Sequence, residues 1–84
     1  MEPVKKNMAY MIEHTGSVLC LTHHKNNLYS GGTDGIIRIW AKGTNTETYE
    51  PIATLEEHTD CVSCLVVHEN KLYSGSRDKT IRVW

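Results

Sequence analysis

The 84-residue chain predicts an all-β protein built from two repeated antiparallel sheets, on three observations. Residues 14–40 and 58–84 align without gaps at an offset of 44, and 15 of those 27 positions are identical. The apolar runs inside each copy are short, rich in β-branched and aromatic residues, and bounded by turn formers. Nowhere do apolar residues fall at helical spacing.

In the first copy, strands are expected at Val18 to His23, Leu28 to Gly31 and Ile36 to Trp40, with an outer strand at Ile52 to Leu55. Asn26-Asn27 and Asn70-Lys71 fit tight turns, because Asn tolerates positive φ. Gly31 to Gly35 and Gly75 to Lys79 mark a second turn around an aspartate. Met8-Ala9-Tyr10-Met11 stands 44 residues before Ile52-Ala53-Thr54-Leu55 and reads as another outer strand, so the order is outer, three inner, outer, three inner. Cys64-Leu65-Val66-Val67 is apolar at consecutive positions, which predicts a strand covered on both faces. A four-stranded sheet that recurs about every 40 to 45 residues between two neighbours is a propeller blade.

The division that follows is residues 1–13 as an outer strand completing a neighbouring blade, 14–57 as the first repeat with a polar, exposed link at 41–51, and 58–84 as the second repeat. Propellers carry about four to eight blades, so two blades form a partial propeller that needs others to close. An isolated pair exposes apolar faces and open strand edges. The chain is therefore expected to be a fragment of a longer propeller, toward which the stop at Trp84 leans, or a unit of which three or four copies close head to tail into a ring.

His14, Ser30, Asp34 and the closing Ile37-Arg38-Ile39-Trp40, with His58, Ser74, Asp78 and Ile81-Arg82-Val83-Trp84, resemble WD40 repeats. The resemblance implies a buried hydrogen-bonded tetrad of His, Ser, Asp and Trp in each blade. It departs from the family pattern at Glu13-His14 and Glu57-His58, where Gly-His is usual, and at Trp40-Ala41, where Trp-Asp is usual. It also implies a binding rim formed by the loop before the first inner strand and by the turn at the Asp. Mapped onto this chain, the rim is Thr15, Ser17 and Thr33 in the first blade and Thr59, Cys61 and Arg77 in the second. Ser17 against Cys61 and Thr33 against Arg77 differ where the core agrees, and Arg suits interface carboxylates and phosphates.

The expected function is a non-enzymatic scaffold that binds proteins or peptides through that rim; the alternative is a structural unit whose partner is itself. The second copy also looks like WD40 domains attached to ubiquitin-ligase subunits and kinases, which select targets. The His-Ser-Asp trio is structural by this reading, since the Ser would lie in a strand under a Trp and the same trio occurs twice.

No metal or cofactor is expected. Cys61 and Cys64 lie three apart on a strand, where side chains point to opposite faces, and Cys64 matches Cys20 as a small buried hydrophobe. Among the five histidines, His14 and His58 belong to the tetrads, His24 and His68 end equivalent strands, and only His23 is left over. The glycine-rich Gly31 to Gly35 lacks the Lys-Ser/Thr and the helix of a phosphate loop. A net charge of −1 favours neither nucleic acid nor an anionic membrane surface. With no apolar run of membrane length, no signal peptide and three cysteines, the chain reads as cytoplasmic or nuclear with reduced thiols.

Overall fold

The computed structural model describes residues 10–44 and 48–84. Among the described residues the strands are β1 (Val18–His24), β2 (Asn27–Gly32), β3 (Ile37–Lys42), β4 (Tyr49–Leu55), β5 (Val62–His68), β6 (Lys71–Ser76) and β7 (Ile81–Val83). They form two antiparallel meanders, β1-β2-β3-β4 and β5-β6-β7. The second sheet holds its three inner strands, as the order outer, three inner, outer, three inner predicts, and the outer edge of β7 is unpaired among the described residues. Trp84 continues the line of β7, its N–H donating to the Leu72 carbonyl at 2.8 Å.

The hairpins are pinned by two-residue loops, with His24 opposite Asn27 and His68 opposite Lys71. The positive φ falls on an Asn as expected in the second loop and not in the first. Lys25 carries it in the first loop, at 55°, and Glu69 and Asn70 share it in the second, at 50° and 65°. The turn around each aspartate is as expected, with positive φ on Gly35 and Lys79.

Three further expectations need correction. The link 41–51 is strand at both its ends: Ala41 and Lys42 pair with Glu50 and Tyr49, which lengthens β3 and β4 at the hairpin end. Pro51, which has no N–H to give a ladder, is accommodated because β4 is the outermost strand and a bulge falls between Ile39 and Trp40. At the N-terminus, Met8 and Ala9 lie outside the described residues, while Tyr10 and Met11 belong to no strand. Finally, β5 is covered on one face only. Leu65 and Val67 pack into the core, and Cys64 and Val66 on the other face are exposed, so Cys64 is not buried as Cys20 partly is.

The core lies between the sheets, where β5 crosses β1 and β2. Ile37, Val62 and Leu72 form its centre, with Cys20, Tyr29, Leu55, Leu65, Val67 and Trp84 packed around them. Bulges at Leu19 and at Ser63, between Val18 and Cys20 and between Val62 and Cys64, set the phase of both packed faces. Because of the bulge, strand parity alone does not separate Cys61 from Cys64; their different neighbours do. Cys61 Sγ sits 3.8 Å from the Thr33 carbonyl at one end of the sheets, and Cys64 lies beside Gly75 on the exposed face.

Candidate interaction rim and the buried tetrads

Each sheet is locked to the loop before it by one chain of hydrogen bonds. In the second, Trp84 Nε1 donates to Ser74 Oγ at 2.9 Å, Ser74 Oγ lies 2.6 Å from His58 Nε2, and His58 Nδ1 lies 2.8 Å from Asp78 Oδ2. The roles follow from the ends. The indole only donates and the carboxylate only accepts, so Ser74 donates to Nε2 and Nδ1 carries the imidazole proton. His58 is enclosed and meets the Trp84 ring edge-on at 6.4 Å. A buried histidine and serine with every valence used are anchored rather than costly.

The first sheet repeats the arrangement with one weaker link. Trp40 Nε1 donates to Ser30 Oγ at 2.8 Å, and Ser30 Oγ lies 2.6 Å from His14 Nε2. His14 Nδ1 comes only to 3.4 Å from Asp34 Oδ2 and makes no hydrogen bond among the described residues. The difference traces to the second residue after each aspartate. Thr80 donates its hydroxyl to Asp78 Oδ1 and sits 3.3 Å from His58 Nδ1, whereas the equivalent position is Ile36, which offers only its backbone N–H to Asp34 at 3.0 Å. Thr80 is a fifth member that the sequence reading missed; its spacing of two from Asp78 was the available signal, obscured by Ile36 in the other copy.

The aspartates are held ionised. The Thr80 hydroxyl is the main force keeping Asp78 well below the usual carboxylate range, with burial opposing it and His58 and two backbone N–H groups assisting. For Asp34, burial raises the carboxyl, but the N–H groups of Ile36 and Thr15 and the nearby His14 together outweigh it, so the net direction is down. Burial also pushes the Cys20 thiol up, and its Sγ is placed against the carbonyls of Gly31 and Val62 at 3.7 and 3.6 Å.

The six rim residues lie along one end of both sheets. Thr15 and Thr59 give their backbone N–H groups to Asp34 and Asp78, at 3.2 and 3.0 Å, which leaves both residues exposed above the tetrads. Ser17 and Thr33 exchange bonds: the Ser17 N–H donates to Thr33 Oγ1 at 3.0 Å and the Thr33 N–H to the Ser17 carbonyl at 2.9 Å. Cys61 then bridges the sheets through the Thr33 carbonyl, and the Arg77 N–H donates to the Cys61 carbonyl at 3.1 Å. Ser17, Thr33, Cys61 and Arg77 therefore form one continuous edge. Asp60, absent from the sequence-based set, belongs to the same edge. Its Oδ1 accepts the Cys61 N–H at 2.6 Å, the main cause of its lowered pKa, and Arg77 contributes in the same direction.

Comparison with known proteins decides the family. The family model for the WD domain, G-beta repeat, matches residues 5–41 and 49–84. The chain is a WD40-repeat protein. No curated protein sequence matches it. Among solved structures, the WD40 chain is similar to the computationally designed Ika4 protein, at 30% identity and a TM-score of 0.71 over 84% of this chain and 42% of that one. It is similar to the computationally designed Ika8 protein at 30% identity and a TM-score of 0.70, over 84% of this chain and 21% of that one. Its two WD40 sheets thus span less than half of either designed chain.

Proposed function

We propose that this WD40 chain is a non-enzymatic scaffold, cytoplasmic or nuclear, that binds proteins or peptides at the rim containing Ser17, Thr33, Asp60, Cys61 and Arg77. The observation that supports the reading best is the continuity of that edge across the two sheets. Backbone hydrogen bonds fix the rim, so its loops meet a partner without first being ordered, which lowers the entropic cost of binding. Arg77 and Asp60 place opposite charges side by side, and a partner with the reverse pattern would gain in both orientation and encounter rate.

The tetrads serve the rim rather than chemistry. Ser30 and Ser74 are buried, and each hydroxyl is held between a histidine and an indole, an arrangement that suits a structural lock. The test is affinity capture with the wild-type chain and with Arg77→Glu and Ser17→Arg, followed by identification and titration of what is retained. Both substitutions are on exposed positions and should leave Tm unchanged while weakening a rim partner about tenfold or more. Equal retention of the same proteins by wild type and both variants would refute the rim as the binding surface.

A further inference from the structure

We infer that the two open sheet faces of this chain are the two halves of one interface, and that a second copy of the chain docks on them head to tail. The argument uses the contact inside the molecule as its template. Internally, the face of the second sheet bearing Val62, Leu65 and Leu72 covers the face of the first bearing Cys20, Gly31 and Ile37. Shifting each residue by the repeat offset of 44 exchanges the covered faces for the open ones. Val62, Leu65 and Leu72 become Val18, Leu21 and Leu28; Cys20, Gly31 and Ile37 become Cys64, Gly75 and Ile81. All six pairs are identical in residue type.

Their surroundings are opposite. Val62 and Ile37 are 0% exposed, but Val18 is 51% and Ile81 77% exposed. The same side chains on the same strands are thus core where the other sheet meets them and surface where none of the described residues does. The open face of the second sheet forms an apolar recess of about 470 Å³, bounded by Cys64, Val66, His68, Tyr73, Gly75 and Ile81. The open face of the first sheet presents a smaller recess of about 180 Å³ beneath Val18 and Leu21.

One residue makes the match specific. A Cβ on Gly31 would stand 2.6 Å from Val62 Cγ1, so the close approach of β2 to β5 requires glycine there. Gly75 repeats that glycine, and among the described residues the only atom its Cβ would meet within 4 Å is the sulfur of its own Cys64, the end of a side chain free to turn. A neighbouring copy seating Val18 against Gly75 supplies the close contact that the internal interface shows at Gly31. Because the two faces differ, the association is heterologous and propagates until rotation closes a ring.

The experiment separates the faces. Leu21→Lys blocks one and Val66→Lys the other, and both side chains are largely exposed in the single chain, at 60% and 56%, so far-UV circular dichroism should match wild type. Light scattering coupled to size exclusion should show wild type as multimers and each variant alone as a monomer. An equimolar mixture of the two variants should give a one-to-one dimer, since each retains the face the other has lost. The inference is overturned if wild type stays monomeric at all concentrations, as it would if these faces serve other blades of a longer polypeptide. It is equally overturned if either variant alone still self-associates, the mark of like faces pairing, or if the mixture remains monomeric.

Discussion

At the scale of single residues, the two tetrads are unequal although their four named members are the same. A hydroxyl at position 80 completes the second, and its absence at Ile36 leaves the His14–Asp34 link long. Thr80→Val should therefore lower Tm by roughly 5 °C, and Ile36→Thr should raise it, both read by thermal unfolding followed by circular dichroism. The aspartates add a pH dependence with a definite sign. Asp34 and Asp78 resist protonation in the native chain more than in the unfolded one, where a carboxyl titrates near about pH 4. Below that value the unfolded chain binds more protons, so the stabilisation is present above it and lost as pH falls further. Unfolding midpoints taken between about pH 5 and pH 2 should decline, and Asp78→Asn should flatten the decline; an unchanged slope would show that these carboxylates are not linked to folding.

At the scale of elements, the strands were legible and their edges were not. Short β-branched runs between turn formers locate β1, β2 and β3 to within two residues, because local propensity and alternation act over that range. Ala41, Lys42, Tyr49 and Glu50 look like loop, and pairing across the β3–β4 hairpin makes them strand. The bulges at Leu19 and Ser63 were equally hidden, since an extra residue in a strand is visible only against its partner. Gly35 shows the same limit: the turn was expected, its role between sheets was not. It has φ 77°, and an added Cβ would lie 3.1 Å from the Asp60 carbonyl oxygen and 3.2 Å from that of His58. Gly35→Ala should destabilise the chain by about 1–3 kcal/mol, measured by urea denaturation. A neutral result would mean that the second sheet shifts away at the rim.

For the whole molecule, the shape follows from stacking only two sheets. The extents are 45 × 24 × 24 Å, and the apolar face at either end has the composition of a core without, among the described residues, the neighbour that would make it one. The expectation that β5 is buried on both sides was sound chemistry for a blade between two others, and it fails here because β5 has one neighbour. The rim belongs to this scale too, since the contact from Cys61 to the Thr33 carbonyl joins loops 28 residues apart in sequence.

By itself the sequence determined the repeat and the strand-rich class, which are readable because identity at a fixed offset and alternation along a strand are one-dimensional properties. The grouping of His14, Ser30, Asp34 and Trp40 and of their counterparts, and the loops of the rim, were what the resemblance to WD40 repeats implied. Only the tertiary structure decided which face of each sheet is covered, that Thr80 joins the second tetrad and Asp60 the edge beside Cys61, and that the positive φ rests on Lys25 and Glu69 as well as Asn70. Those depend on which atoms meet across space, and the repeat that makes the two sheets alike in sequence cannot say which of their equal faces finds a neighbour.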